Sequence, residues 1–341
     1  MDIPSVSRNE QEIAGWVEQF LGSLPWLEVV RFKNTIVART HFGLTQRILL
    51  AGHLDTVVPS GNESAVIDQF GCAGIGSCDM KGGIAVMLCL AKSKSSPTRD
   101  YTLVFYSCEE VDRSENELHL LMEEDPTILA CDAAILCEPT GAVVEAGCQG
   151  SIRCKVKIRG KRAHSARPWM GVNSIHRSAK LLSSLSTEWQ NKVTIDNCEY
   201  LESLQAVAIS GGVAGNVIPD LVEVVINYRF APDKTLEQAI GWLNNYLLDW
   251  IDHSLGDEVQ ILDATGGAPP LLDDLILAEL VRTSSQGPRA KLGLTDVGLF
   301  ADLGIPATNF GPGDSRLAHS PDERVEFAEL ASAFETLSKL F

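Results

Sequence analysis

The chain has 341 residues, of which 45% are hydrophobic, and its 45 acidic and 28 basic residues give a formal net charge of −17 at pH 7. A chain of this length predicts two domains rather than one core, and the acidic excess argues against a nucleic-acid partner because it repels phosphates. The sequence contains no apolar run of about 18 residues, so no membrane span is predicted.

The N-terminal stretch and the cysteines both predict a cytoplasmic protein. Residues 1–16, MDIPSVSRNEQEIAGW, contain neither the basic nor the apolar region of a signal peptide. The nine cysteines are odd in number and none forms a Cys-x-x-Cys pair, which predicts reduced thiols. Cys78, Cys108 and Cys137 each precede an acidic residue, and because neighbours on a strand point to opposite faces, we expect these thiols to face the core.

The first half of the chain alternates between helical and strand-like patterns. Apolar residues recur at helical spacing over residues 9–22, and a second helical stretch, KGGIAVMLCLAKSK, covers residues 81–94. Short apolar runs typical of buried strands lie at residues 47–52, 101–107 and 132–138. Strands that alternate with helices predict a mostly parallel sheet with helices on both faces.

The pattern changes near residue 150. Residues 151–160 alternate between apolar and polar, which is typical of a strand with one solvated face. A helix, two strands, a helix and a strand follow, at residues 173–185, 204–210, 221–230, 235–251 and 258–262. This order predicts a ferredoxin-like βαββαβ unit.

The two patterns together predict an α/β protein with an inserted domain. A linker rich in glycine and proline, DATGGAPP, covers residues 263–270, and the chain then returns to the α/β pattern. We predict a larger catalytic domain formed by residues 1–149 and 263–341. Residues 150–262 would form a lid and dimerisation domain inserted into it.

Histidines and carboxylates follow apolar runs or precede a helix at five places. They are His53 with Asp55, Asp79, the adjacent pair Glu109 and Glu110, Glu138, and His319. Taken singly, each has an ordinary explanation, such as a buried histidine, a helix N-cap or a solvated loop. The carboxyl ends of parallel strands share one edge of a sheet, however, and this edge would gather the five segments into one site.

The residue types in these segments indicate a metal centre. His53 and Asp55 share a face of their strand, and a carboxylate beside a histidine is typical of a metal ligand and its orienting partner. Imidazole and carboxylate without thiolate suit zinc, cobalt or manganese. There are more carboxylates than one zinc ion needs, so we predict two divalent cations that share a bridging carboxylate.

The same segments resemble the motifs of a known family. GHLDTV, GSCDMKGG, SCEEVD, CEPTG, AHSARP and AHSPDE are together similar to those of the di-zinc amidohydrolases, which include aminoacylases, acetylornithine deacetylase, bacterial carboxypeptidases and succinyl-diaminopimelate desuccinylase. The resemblance covers nearly the whole chain, including the predicted lid. It implies hydrolysis of an N-acyl amino acid at a centre of two metal ions, with zinc preferred to cobalt or manganese.

The resemblance implies a role for each metal ligand. Asp79 would bridge the two ions. His53 and Glu138 would complete the ligands of one ion, and Glu110 and His319 those of the other.

The resemblance also implies roles for residues that bind no metal. Asp55 would orient its neighbouring histidine, and Glu109 would act as the general base that takes a proton from the attacking water. His164 would reach into the partner subunit's active site and stabilise the oxyanion, which implies a homodimer through the lid. Asn216 and Arg229 would bind substrate.

Two longer stretches, EAGCQGSIRCKVKIRGKRAHSARPWMGVNSIH and LGLTDVGLFADLGIPATNFGPGD, are most similar to one bacterial branch of the desuccinylases. This implies cleavage of N-succinyl-L,L-2,6-diaminopimelate to succinate and diaminopimelate. The chain departs from the better-known members at Cys148 and Gln149, where those carry two arginines. Arg167 or Arg153, which lie nearby in sequence, could substitute for them. The candidate donors to the succinyl carboxylate are therefore Arg167 and Arg229, with backbone N–H groups around Gly311 as an alternative.

Other functions stay open. The same chemistry would serve another N-acyl-amino-acid deacylase or a dipeptidase. A non-catalytic metal- or amino-acid-binding protein is disfavoured because it would need no general base such as Glu109. A thiol hydrolase built on Cys108 is disfavoured because no further histidine lies in a motif that would activate the thiol.

Overall fold

A computed structural model describes residues 1–187 and 190–341. The chain divides into two compact units. The first unit contains Met1–Gly147, Pro270–Arg289 and Leu299–Phe341. The second contains Cys148–Pro269 and Ala290–Gly298.

Helices and short strands alternate along much of the chain. In chain order they are α1 (Gln11–Gly22), β1 (Glu28–Phe32), β2 (Thr35–Arg39), β3 (Arg47–His53), β4 (Val66–Ile67), β5 (Gly71–Ala73), α2 (Lys81–Ser93), β6 (Asp100–Tyr106), α3 (Glu117–Glu124), β7 (Ala133–Leu136), β8 (Glu145–Ala146), β9 (Gly150–Arg159), β10 (Ala163–His164), α4 (Ser174–Ser186), β11 (Asn191–Ile195), β12 (Cys198–Gly211), β13 (Val217–Ile218), β14 (Leu221–Phe230), α5 (Leu236–Leu248), β15 (Glu258–Thr265), α6 (Leu275–Thr283), β16 (Arg289–Ala290), α7 (Val297–Asp302), β17 (Ala307–Asn309), β18 (Arg324–Glu326) and α8 (Phe327–Ser338).

The largest sheet has eight strands in the order β1-β2-β6-β3-β7-β17-β8-β16. Its central pairings, β6 with β3, β3 with β7 and β7 with β17, are parallel, whereas β1, β2 and β8 join the sheet antiparallel. The predicted mixed α/β fold with a mostly parallel sheet is therefore confirmed. Strand β3 has neighbours on both sides and is buried from Ile48 to His53, which explains its nearly continuous apolar sequence.

Helices α1, α2, α6 and α8 bury their apolar faces in one core with the strands of this sheet. Helix α2 begins close to the sheet, so close that a Cβ atom on Gly83 would collide with the carbonyl oxygen of Cys137. The absence of a side chain at Gly83 permits this approach. This close packing brings the start of α2 beside the end of β7. No helix among the described residues has both the length and the apolar character needed to cross a bilayer.

The second unit contains a five-stranded sheet in the order β11-β12-β14-β9-β15, in which neighbouring strands run antiparallel. Burial along β14 alternates residue by residue, so that Tyr228 and Phe230 lie in the core while Arg229 lies on the other face. Helices α4 and α5 contribute Leu181 and Leu243 to this core. One face of the sheet is therefore covered by helices.

Strand β11 and the first part of β12 are absent from the predicted element order. They form a hairpin whose two turn residues, Asp196 and Asn197, both have positive φ, at 49° and 62°. Asp and Asn tolerate this left-handed conformation better than most residues, and a two-residue turn of this kind matches the twist of paired strands. As a result β12 begins at Cys198 rather than near residue 204.

Candidate metal centre

The parallel register of the central strands brings several polar residues to one edge of the large sheet. His53 ends β3 and lies opposite Tyr106, the last residue of β6. Glu109 follows β6 by three residues, and Glu138 follows β7 by two. The remaining predicted ligands come from the start of α2 and from the loop between β17 and β18.

Asp79 lies between two imidazole rings. Its Oδ1 atom is 3.0 Å from Nε2 of His53, and its Oδ2 atom is 3.5 Å from Nε2 of His319. Burial alone would raise the pKa of Asp79, but hydrogen bonds from the two histidines lower it below its ordinary value. One carboxylate thus presents a different oxygen to each ring, which is the arrangement that a bridging ligand requires.

His53 is almost completely buried, and its ring is held from two directions. Its Nδ1 atom is 3.0 Å from the main-chain oxygen of Asp55 and 3.6 Å from that residue's Oδ1, while the ring meets Tyr106 edge-on at 6.2 Å. These contacts direct Nε2 toward Asp79. Burial lowers the pKa of His53, but the hydrogen bonds and charges of the two aspartates outweigh it and raise the pKa well above its ordinary value.

His319 is half exposed and lies in a loop, where its backbone has a φ of 61°. Its Nε2 atom is 2.7 Å from Oε1 of Glu110. The hydrogen bond to Asp79 and the charge of Glu110 raise the pKa of His319 to about 9, although partial burial opposes this shift. Burial has the opposite effect on the carboxyl group of Glu110, whose pKa it raises.

Three groups of three side chains among the described residues could each hold a metal ion, and two of these groups share Asp79. His53, Asp79 and Glu138 form one group, and Asp79, Glu110 and His319 form the other, with the donor atoms in each group within 4.8 Å of one another. Each group contains one imidazole and two carboxylates, a donor set that suits zinc and similar cations. Asp79 belongs to both, so the residues present fit a pair of ions with a shared carboxylate.

The backbone of the two adjacent glutamates is held by Asp55. Its Oδ1 accepts the N–H of Glu109 at 3.1 Å, and its Oδ2 accepts the N–H of Glu110 at 3.0 Å. Asp55 is fully buried, and although burial raises its pKa, His53 and these two amides lower the pKa to about 2. Asp55 is therefore ionised at neutral pH and fixes where the glutamate pair begins. Glu109 itself joins His53 and Glu110 in a third group of clustered donor atoms.

Glu323 also supports the site, and sequence reasoning assigned it no role. Its side chain is buried, and Oε1 accepts the backbone N–H groups of Cys78 and Asp79, each at 3.1 Å. Burial raises the pKa of Glu323. The only signal in the sequence was its place at the end of the AHSPDE stretch, since contacts from a carboxylate to distant backbone amides leave no periodic pattern.

The other predicted site residues lie in the second unit, except for one glycine. His164 is paired with Val217 in a two-stranded sheet, and the N–H of Ser165 donates to the main-chain oxygen of Asn216, so His164 and Asn216 lie close together. Arg229 has a buried Nη1 atom with no hydrogen-bond partner among the described residues.

Cys148 and Gln149, the two positions noted above as departures from the resembled motifs, are both buried. Cys148 is fully buried, and Gln149 donates its side-chain amide to the carbonyl oxygen of Leu201 at 2.8 Å. Of the predicted substitutes, Arg153 is paired with Asp263 at 2.6 Å. Neither Gln149 nor Arg153 is therefore an unengaged donor.

Two further predicted contacts for the succinyl group differ in how far they are engaged. Arg167 is exposed, and its side chain has no ion-pair partner within residues 1–187 and 190–341. Gly311 donates its N–H to the hydroxyl oxygen of Thr140 at 3.1 Å, and a Cβ atom there would collide with the main-chain oxygen of Cys137. The N–H of Gly311 is thus already engaged within the first unit.

Comparisons with known proteins identify the family to which the chain is similar. The model of the family described as Peptidase family M20/M25/M40 matches residues 49–341. A protein of Mycobacterium tuberculosis, whose assignment as succinyl-diaminopimelate desuccinylase DapE is provisional, is 45% identical over 340 residues, covering 99% of this chain and 95% of the relative. The succinyl-diaminopimelate desuccinylase of Corynebacterium glutamicum is 41% identical over 345 residues, covering 99% and 93%.

A solved structure shows the same fold at low sequence identity. It is the YXEP protein of Bacillus subtilis, described as a dinuclear metal-binding peptidase, which superimposes with a TM-score of 0.69. The identity is 15%, and the match covers 99% of this chain and 93% of the other.

Zinc titrated into the metal-free protein should displace protons from His53 and His319. Both rings have a raised pKa, about 9 for His319, so both are protonated at neutral pH and must lose that proton to donate a lone pair. We therefore expect the apparent affinity to rise between about pH 6 and pH 8, by roughly tenfold per pH unit for each proton released. Isothermal titration calorimetry in buffers of different ionisation enthalpy measures both quantities.

His319→Ala should reduce the number of protons released, whereas His176→Ala should not, because His176 lies on α4 of the second unit and is not a predicted ligand. An affinity that is independent of pH would contradict the prediction that these imidazoles are ligands.

Proposed function

The chain belongs to the peptidase family M20/M25/M40, and from this premise we propose that it hydrolyses the amide bond of N-succinyl-L,L-2,6-diaminopimelate to succinate and diaminopimelate. The observation that carries a hydrolytic function is the pair of donor groups that share Asp79. The choice of substrate rests on relatives that are 41% and 45% identical over 99% of this chain and that bear the desuccinylase name.

We propose that the centre holds two divalent cations, most suitably zinc, with cobalt or manganese as alternatives. Asp79 would bridge them, with His53 and Glu138 on one ion and Glu110 and His319 on the other. The shared member of the two donor groups supports this arrangement, as does the common fold with the YXEP protein, which is described as binding a dinuclear metal centre. When bound, such ions polarise a carbonyl oxygen and make water more acidic.

Glu109 is the residue we propose as general base. It would take a proton from the attacking water at its carboxylate and then deliver that proton to the leaving amine nitrogen. The carboxylate of Asp55 supports this role, because it accepts the backbone amides of Glu109 and Glu110 and so fixes the backbone from which both side chains extend.

Binding of an anionic substrate by an acidic protein requires fixed cationic donors. Arg229 is suited to this because one of its guanidinium nitrogens is buried and makes no hydrogen bond among the described residues. A buried donor without a partner is destabilising until a ligand satisfies it. Arg167 is exposed and has no ion-pair partner in the described part of the chain, so it would serve as a second donor. We propose that Asn216 assists them.

We propose that the second unit is the lid and that it joins two copies into a homodimer. Only residues 198–202 of β12 pair with β11, so among the described residues the rest of β12 has strand β14 on one side and a free edge on the other. That stretch exposes Val207 and Ile209, at 57% and 55%. A free edge with exposed apolar residues favours pairing with another strand. His164 would then act in the active site of the partner.

One observation favours a second candidate, another N-acyl-amino-acid deacylase or a dipeptidase of the same family. Cys148 and Gln149 supply no positive charge where better-known desuccinylases have two arginines, and the amide of Gln149 is already donated to Leu201. Without enough cationic donors, the site would not distinguish a succinyl group from an uncharged acyl group.

Glu109→Gln should lower kcat by about 10²–10⁴ because it removes the proton acceptor. The content of zinc should stay unchanged, since Glu110 is the proposed ligand. Steady-state kinetics together with metal analysis by mass spectrometry test this. Glu110→Gln is the matched control and should lose metal; near-normal turnover of Glu109→Gln would place the base elsewhere.

N-succinyl-L,L-diaminopimelate should be cleaved with a kcat/KM at least about ten times that of its N-acetyl analogue. A charge-assisted hydrogen bond to arginine contributes about 1.5–3 kcal/mol. Arg229→Met should remove most of the kcat/KM for the succinyl substrate, because it removes the proposed hydrogen bond to the substrate. Arg153→Met should have little effect because Arg153 is paired with Asp263.

Equal rates for the two acyl groups, or a preference for dipeptides, would remove the desuccinylase proposal. It would leave a hydrolase of the family with another substrate.

Mixing His164→Ala protein with Glu109→Gln protein should restore part of the activity that each has lost. In a mixed dimer, one active site would contain an intact Glu109 together with an intact His164 from the partner subunit. The measurement is turnover in mixed dimers isolated with two different affinity tags. No recovery in such dimers would place His164 in its own subunit's site or outside catalysis.

A further inference from the structure

The first ten residues lie outside the stretch that matches the family model, yet they are bonded to the segments that carry the metal centre. The N–H of Thr56 donates to the carbonyl oxygen of Ser5 at 2.9 Å, and the N–H of Ser7 donates to the carbonyl oxygen of Thr56 at 3.1 Å. Lys81, at the start of α2, donates to the carbonyl oxygen of Ile3 at 2.9 Å. The segment is thus held on both sides.

The side chain of Ser7 contacts the carboxylate that holds the glutamate pair. Its hydroxyl donates to Oδ2 of Asp55 at 2.8 Å, and both residues are buried. The same oxygen accepts the N–H of Glu110, and the other carboxylate oxygen accepts the N–H of Glu109. Three donors therefore fix the carboxylate of Asp55, and one of them comes from the N-terminal segment.

A second contact from the same segment involves Cys108, the residue that precedes the glutamate pair. Glu10 is buried, and its Oε1 accepts the N–H of Arg8 at 2.8 Å and the thiol of Cys108 at 3.5 Å. Cys108 directly precedes the glutamates and has a φ of 62°, a conformation that non-glycine residues seldom adopt. The N-terminal segment therefore contacts Asp55, which accepts the amides of the glutamate pair, and Cys108, which precedes the pair in the chain.

We propose that Ser7 is a positioning residue for the metal centre. Its hydroxyl holds the carboxylate of Asp55 in the orientation in which both oxygens accept the backbone amides of Glu109 and Glu110. If the hydroxyl is removed, the carboxylate can rotate, and the metal ligand Glu110 and the base Glu109 lose their common anchor. The role of Glu109 rests on the proposed function, whereas the effect on metal binding does not depend on the substrate.

The test compares Ser7→Ala with the wild-type protein in two measurements. Loss of a group that orients metal ligands typically lowers metal affinity or activity by about 10- to 100-fold. We expect Co²⁺ titrations, followed by visible absorption and calorimetry, to show weaker binding of one of two ions by that factor. We expect kcat to fall by a similar factor while KM changes less than about twofold, because the hydroxyl would act on the base and not on the substrate.

Two further variants separate positioning from general destabilisation. Ser7→Thr keeps the hydroxyl and should retain most of the Co²⁺ affinity. Ser5→Ala is the matched control, because Ser5 is also buried in the same segment but its hydroxyl makes no hydrogen bond among the described residues. It should match the wild type in Co²⁺ binding and kcat. Melting temperatures for all variants monitor folding.

Co²⁺ affinity of Ser7→Ala equal to that of Ser5→Ala would overturn the proposal, and so would a Ser7→Thr variant as impaired as Ser7→Ala. A wild-type protein that does not cleave the succinyl substrate would refute the proposed function alone, since the Co²⁺ comparison would still decide the role of Ser7.

Discussion

The central physical constraint on this molecule is the crowding of like charges at one edge of the sheet. Asp79, Glu110 and Glu138 belong to donor groups only 4.8 Å across, and the charge of Asp79 contributes to the raised pKa of Glu110. Carboxylates at such distances repel one another unless positive charge offsets them. In the absence of metal, the protonated rings of His53 and His319 supply that charge, which is why their pKa values are raised. The arrangement is therefore suited to holding cations.

Much of the surrounding structure can be understood as a way to hold these side chains against their repulsion. Asp55 and Glu323 are buried carboxylates that accept backbone amides of the segments carrying the glutamate pair and Asp79. Each fixes a short piece of backbone, from which the ligand side chain then extends only a few bonds. The close contact at Gly83 adds the same kind of restriction by pressing α2 against the end of β7. Anchored backbone of this kind favours catalysis, which depends on groups held in place before the substrate arrives.

Sequence reasoning predicted the mostly parallel sheet and the meeting of distant segments, because both follow from strand patterns and from the rule that parallel strands end along one edge. The donor atoms of His53, Asp79, Glu110, Glu138 and His319 do lie in the two groups described above, while their roles stay predictions. Sequence reasoning did not predict the contacts of Glu323 or Ser7, since a side chain that forms a hydrogen bond with a group more than 40 residues away leaves no local pattern. The β11–β12 hairpin was missed because its strands are too polar to resemble a core strand. The grouping of residues 290–298 with the second unit depends on tertiary contacts and was also not predicted.

The separation of the ligands along the chain has a consequence for folding. Glu110 and His319 are 209 residues apart, whereas His53 and Asp79 are 26 apart. During synthesis, His319 emerges only after the whole of Cys148–Pro269, so the donor group that includes it can close only after that long interval. Contacts between such distant segments are the slowest to form, and a cross-link that closes a long loop restricts the unfolded chain more than one that closes a short loop. A cation shared by Asp79, Glu110 and His319 would therefore also cross-link the C-terminal part of the first unit, which is synthesised last, to its N-terminal part. Its effect on the unfolded chain would resemble that of a disulfide in a secreted protein.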